Sequence, residues 1–252
     1  MVVHKRASDA LQRLSPSELG LQFVSLQRLE VSDNVSVEAG REEMCIVILS
    51  GSGIASCTLP DGSDKRLSIG PRDMIFGPVG SAIRVKGPGI VAMAYWAPSE
   101  VGARFAHVRF SEVNEDDHRH VRAGDVGSGC ARHVWKYIDT DFHCSRLMMG
   151  ICENNAGNWT AWPPHEHTEE REEVYVYFDM GGGFGVQLVY RSLDAPDAAL
   201  VVRDGDVVSI PGGYHPNVGA PAAPMAYIYC MAARVPGVRN FQDYRIQSGF
   251  DA

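Results

Sequence analysis

His165 and His167 are separated by a single residue, in the run PPHEHTEEREEVYVYF from Pro163 to Phe178. On an extended segment, residues two apart point to the same side. Both imidazoles can therefore face one point, with Glu166 between them turned away. Carboxylates follow at Glu169, Glu170, Glu172 and Glu173, and a third imidazole, His215, comes much later, after the turn-forming Pro211-Gly212-Gly213. Three imidazoles and a carboxylate suit one divalent transition metal, and manganese, iron, cobalt, nickel and zinc all accept such donors.

The other histidines lack this context. His118 and His120 repeat the one-residue spacing, but no acid-and-strand unit follows them, so they read as solvent-exposed. His4, His107, His133 and His143 stand alone and read as structural or surface residues. No histidine lies between His4 and His107, so the N-terminal half has no means of building a histidine-based metal site. The lysines are Lys5, Lys65, Lys86 and Lys136, so none follows residue 136. This argues against Schiff-base or lysine-base chemistry in the second half unless a residue crosses over. There is no nucleophile elbow, phosphate loop or dinucleotide fingerprint, and GGGFG from Gly181 to Gly185 reads as a hairpin turn.

The elements around these residues are short apolar runs punctuated by glycine and proline. MCIVILSGSGIASC, GIVAMAYWAP, SRLMMGICEN, EEVYVYFDM, FGVQLVY and MAYIYCMAA read as strands. Helical periodicity is confined to a short stretch near Ala7 to Leu14. Many short strands at regular spacing predict an all-β sandwich or barrel. IGPRDMIFGPVGSAIRV and VRDGDVVSIPGGYHPNV share an aspartate, an apolar run, a proline and a glycine, which predicts two rounds of one plan. The expected division is an N-terminal barrel over 1–113, a charged, Gly-rich linker over 114–130 and a C-terminal barrel over 131–252. By period two, Tyr175 and Tyr177 share a face with Glu173.

Composition bounds the rest. The net charge of -8 disfavours nucleic acid or an anionic membrane as partner. No apolar run approaches the roughly 18 residues that span a bilayer, and the N-terminus does not read as a signal peptide. A cytoplasmic protein is expected, with its six scattered cysteines as free thiols.

The order His-x-His, acid, distant His resembles the ligand pattern of cupin barrels, with the Gly205-Asp206 and Pro211–Gly213 turns preceding His215 as in the second cupin motif. Cupin acids directly precede the apolar strand. The resemblance therefore favours Glu173, which precedes Val174, with Glu172 as the alternative. More narrowly, GNW (Gly157 to Trp159), RSLD (Arg191 to Asp194) and GYHP (Gly213 to Pro216) resemble the 5-deoxy-glucuronate isomerases of inositol catabolism. The sister branch isomerises the 4-deoxy-5-keto-uronate released by pectin breakdown. The resemblance implies a bicupin with His165, His167, Glu173 and His215 binding one metal, in the second barrel only. It implies aldose–ketose isomerisation of a small sugar acid, and a homo-oligomer. Tyr175, Gln187 and Tyr214 are the candidates for catalysis, and Arg171, Arg191 and Arg203 are possible carboxylate partners that read more simply as surface residues. Glu166 stands where the isomerases suggest a basic residue, and the tail NFQDYRIQSGFDA lacks their tryptophan-containing ending. A cupin dioxygenase and a non-catalytic sugar- or metal-binding cupin remain as other readings.

Overall fold

A computed structural model describes residues 1–221 and 223–250; the last two residues of the tail lie outside it. Each half of the chain is a pair of facing antiparallel sheets. In the N-terminal half a five-stranded sheet runs in the order Ala106–Val108, Met74–Gly77, Glu42–Ser50, Ile90–Pro98, Ser25–Val31. It faces a four-stranded sheet of Asn34–Glu38, Ala82–Lys86, Gly53–Thr58 and Asp64–Ile69. In the C-terminal half a seven-stranded sheet places Arg171–Phe178 between Val207–Ile210 and Ala226–Ala233, followed by Leu147–Asn154, Arg132–Ile138 and His120–Ala123. Its facing sheet contains Trp159–Thr160, Asn217–Gly219, Gly185–Val189 and Ala198–Val202.

Three cores hold this arrangement together. Met44, Ile46 and Ile48 pack with Ala55, Ile83 and Val85 between the sheets of the first half. Tyr175, Tyr177, Tyr227 and Val208 pack with Val189 and Val202 inside the second. The largest core lies between the halves, where the backs of the two large sheets meet. Cys45, Val47, Phe76 and Tyr95 there join Val174, Val176, Ile228, Cys230 and Met149. This explains the unbroken apolar strands. Antiparallel sheets usually alternate apolar and polar because one face is wet, but both faces of these sheets are covered. All six cysteines are free and buried.

The short helix starts where expected but is a 3-10 turn over Ala7–Leu11. It stops there because Leu14 is drawn into an antiparallel bridge, its N–H donating to the Leu26 carbonyl at 2.8 Å. The segment read as a linker is structured. It holds the end of an α-helix, Phe110–Glu115, and the strand His120–Ala123, which pairs with Arg132–Ile138. His120 is accordingly not solvent-exposed: its ring is buried, hydrogen-bonds to His133 at 2.8 Å and stacks on Trp135, while His118 is exposed. The strand His4–Lys5 also crosses from the first half to pair with Val207 and Val208 of the second. No helix among the described residues is long and apolar enough to cross a membrane.

The two paired aspartate turns are alike in three dimensions. Asp73 and Asp206 each accept the N–H of the residue three before, Gly70 at 2.9 Å and Arg203 at 3.0 Å. In register, Met44 lies opposite Gly77 as Glu173 lies opposite Ile210. The first half therefore carries Met44 where the second has Glu173, and Ala82 where the aligned motif has His215.

Candidate active site

The strand Arg171–Phe178 presents Glu173 and Tyr175 inward and Glu172 and Val174 outward, as period two requires. The loop before it is only Thr168–Glu170, so Arg171 and Glu172 belong to the strand. His165 arrives on a two-residue strand paired with Arg245–Ile246. His215 follows the Pro-Gly-Gly turn, in which Gly213 adopts φ 94°, a conformation that a side chain disfavours. The Thr168 hydroxyl accepts the Gly213 N–H at 3.0 Å and ties this turn to the His165 loop.

The ring nitrogens of His165, His167 and His215 available for ligation lie within 4.8 Å of one another. Each Nδ1 meets a backbone carbonyl: Pro163 at 3.0 Å, Arg171 at 3.4 Å and Gly213 at 2.8 Å respectively. A ring that donates from Nδ1 keeps a bare lone pair on Nε2, the tautomer a metal ligand needs. Glu173 Oε2 lies 3.0 Å from His167 Nε2 and 3.2 Å from His215 Nε2. His215 Nε2 is buried yet forms no hydrogen bond. In these tautomers, lone pairs on nitrogen face lone pairs on a carboxylate. Such a contact is favourable only with a cation between them, so the donor set fits a divalent metal.

Electrostatics agree with that fit. Burial, with His215 and His167 adding to it, pushes His165 down to about 3. Burial also lowers His167, against the opposing pull of Glu173. For Glu173 burial acts upward, and hydrogen bonds and positive charge from the adjoining His167 and His215 rings hold the carboxyl below its ordinary range; where those rings keep their Nε2 lone pairs, a bound cation would have to supply that pull. His165, His167 and Glu173 are thus unprotonated at neutral pH.

Glu172, the alternative ligand, faces away from this cluster. Its carboxylate accepts the N–H groups of Gln22, Phe23 and Val24 at 2.7, 2.8 and 2.9 Å. Glu43 of the first half does the reciprocal thing, accepting from Ser145, Arg146 and Leu147 at 2.6, 2.7 and 2.7 Å. Glu166 turns outward onto Thr168 and Arg245.

The three imidazoles and Glu173 border or adjoin a cavity of about 290 Å³. Tyr175 lines it, its ring 6.0 Å from that of His215, and burial keeps its hydroxyl well above the usual phenol range and so protonated. Gln187 does not line it. It is buried, takes hydrogen bonds from the Tyr177 hydroxyl and Asn217, and donates to the His215 carbonyl at 2.8 Å. It braces the His215 backbone. Tyr214 packs on Tyr190 at 5.7 Å, also away from the cavity. Arg191 and Arg203 are exposed, and Arg191 pairs with Asp197.

Arg171 is not a surface residue. It is buried in the cavity wall and donates to the carbonyls of Asn240, Phe241 and Asp243 at 2.6, 3.2 and 2.7 Å. These bonds fold the C-terminal tail over the site, where Phe241, Gln242 and Tyr244 complete the wall and Tyr244 lies 5.3 Å from the His165 ring. Sequence reasoning missed this cover, because an irregular tail carries no periodic signal. It also missed Lys136. That residue was set aside by position, yet it lies on the C-terminal strand Arg132–Ile138 and lines the cavity. Alternation could have found it, since Trp135 and Tyr137 fill the core between the halves and their neighbours must face inward.

A model of the KduI/IolB family matches residues 2–247. The chain belongs to that family. Within it, the chain is 28% identical over 248 residues to a 5-deoxy-glucuronate isomerase of Shouchella clausii, covering 89% of this chain and 87% of that protein. A Bacillus subtilis protein of the same name is 28% identical over 239 residues, covering 86% and 83%. The crystal structure of an IolB-like protein from Salmonella typhimurium superposes with TM-score 0.80 at 22% identity, covering 96% of this chain and 94% of that one. Oxalate decarboxylase from Lactobacillus farciminis matches at TM-score 0.67 and 12% identity, over 96% and 88%. The nearly all-β fold is thus that of the cupins, as the ligand order led us to expect.

Proposed function

We propose that this KduI/IolB-family protein is a metal-dependent aldose–ketose isomerase of a deoxy-uronic acid, with 5-deoxy-glucuronate as substrate. The observation that carries this reading is the set of three Nε2 atoms beside Glu173, each ring steered by a carbonyl on Nδ1. The relatives named 5-deoxy-glucuronate isomerase supply the substrate class. The cavity of about 290 Å³ suits a small sugar acid, standing just below the roughly 300–1,000 Å³ of drug-sized ligand pockets. Cytoplasmic location and homo-oligomeric assembly belong to the same proposal.

His165, His167, Glu173 and His215 would hold the metal, and manganese is one choice, since the related fold of Bacillus subtilis oxalate decarboxylase has Mn(II) centres. Such an ion would polarise a substrate carbonyl and favour loss of the proton on the adjacent carbon. The protein's own groups do the rest. Tyr175, protonated at the cavity wall, would donate a hydrogen bond to a substrate oxygen. Gln187 fixes His215 through its carbonyl. The tail clasped by Arg171 shields the site from bulk water.

Metal analysis combined with an NMR assay on 5-deoxy-glucuronate and on the pectin-derived 4-deoxy-5-keto-uronate tests this. His165→Ala and His215→Ala should each lose both metal and isomerase activity. A double variant with full activity would overturn the metal-centred reading, and turnover of the pectin-derived acid alone would overturn the choice of substrate.

A further inference from the structure

An open-chain uronic acid carries its carboxylate at the far end from its aldehyde. If the aldehyde end meets the histidine cluster, a cation is needed across the cavity. Three cations line the wall: Arg132, Lys136 and Arg171. Arg132 gives its terminal nitrogens to the carbonyls of Cys130 and Trp162. Arg171 gives both of its own to the tail, keeps only its buried Nε–H without a partner, and stands beside Glu173, at the metal end. Lys136 has three ammonium donors, and Asp139 takes one at 2.8 Å.

The strand register gives Lys136 its place. Lys136 pairs with Gly150, Gly150 with Tyr229, and Tyr229 with Tyr175, so these residues form one row across the inner face of the sheet. At a strand spacing of about 4.8 Å, the Lys136 backbone stands roughly 14 Å from that of Tyr175, and the inward side chains shorten the gap. Glycine at 150 makes the row usable. A Cβ there would lie 2.2 Å from the Tyr229 hydroxyl, so Tyr229 reaches over Gly150 toward the Lys136 strand. That hydroxyl is buried without a hydrogen-bond partner, in a residue that lines the cavity. Burial holds it well above the usual phenol range, so it remains a donor.

We propose that Lys136, assisted by the Tyr229 hydroxyl, binds the carboxylate of the sugar acid and so selects uronates over neutral sugars. This assignment rests on the isomerase reading above. Asp139 and the Phe241 ring, 5.5 Å from the ammonium, hold the Lys136 side chain in place before substrate arrives. A positioned cation of this kind acts on binding more than on turnover.

The test compares 5-deoxy-glucuronate with the 5-deoxy-hexose that carries a hydroxymethyl group in place of its carboxylate, on the metal-loaded protein. Lys136→Met should raise KM for the uronate about tenfold or more, change kcat by less than about threefold, and leave KM for the neutral sugar as it was. Metal content should stay at the wild-type level. Lys136→Arg should recover most of the lost affinity, and Tyr229→Phe should raise the uronate KM by a smaller factor. An unchanged uronate preference in Lys136→Met, or an equal rise in KM for both sugars, would overturn the assignment. A wild-type protein that isomerises no uronate would overturn the isomerase reading instead. Calorimetric binding of the same two sugars to wild type and Lys136→Met then decides the role of Lys136, which fails if the variant still prefers the acid.

Discussion

Glu172→Gln separates the two adjacent glutamates by what each one holds. The Glu172 carboxylate accepts three backbone N–H groups at 2.7 to 2.9 Å, all from the turn that feeds the first half's outer strand. Hydrogen bonds to a charged group contribute about 1.5–3 kcal/mol each, and a buried donor left unpaired costs about 1–3 kcal/mol. Glutamine keeps one carbonyl oxygen for three donors and turns an NH2 toward the remainder. The expected loss is on the order of 3 kcal/mol, a fall in Tm of about 6–12 °C for a chain of this size. Urea denaturation of metal-loaded protein measures it, with metal content determined in parallel. The variant should keep its metal, because Glu172 faces away from the histidines, whereas Glu173→Gln should lose it. A loss below about 1 kcal/mol, or metal loss from Glu172→Gln with stability intact, would refute both the capping role and the assigned strand face.

Two further outcomes are expected. Gly150→Ala sets a Cβ 2.2 Å from both the Trp135 carbonyl oxygen and the Tyr229 hydroxyl. It should cost about 1–3 kcal/mol by overpacking and lower turnover, and wild-type melting with wild-type activity would show the row to be looser than described. The metal-free protein should lose stability on acidification. His165 titrates at about 3 when folded and about 6.5 when unfolded, so the unfolded chain binds more protons in between and stability rises with pH across that window. The lowered His167 and Glu173 act in the same direction. The urea midpoint of chelator-treated protein should fall between about pH 7 and about pH 5, and His165→Ala should flatten the slope. A flat wild-type profile would contradict the burial of these rings.

The donor types and their order can be read from neighbouring residues alone. His165 and His167 at one-residue spacing, an acid before an apolar strand and His215 after a Pro-Gly-Gly turn are local features. So are the paired Asp-to-Pro-Gly segments that predict two rounds of β-structure, because turn chemistry and period-two alternation need only neighbouring residues. Tertiary structure decided which face of each strand looks inward. Arg171–Phe178 is buried along its whole length. Its pattern therefore cannot distinguish the inside of the second half from the core between the halves. Alternation alone puts Glu172 and Glu173 on opposite faces, and only the packed sheets assign Glu173 to the histidines and Glu172 to the Gln22–Val24 turn. The same physics hid Lys136, whose direction follows from Trp135 and Tyr137 packing between the halves. It hid the tail as well, since Phe241, Gln242 and Tyr244 reach the cavity only through carbonyls held by the distant Arg171.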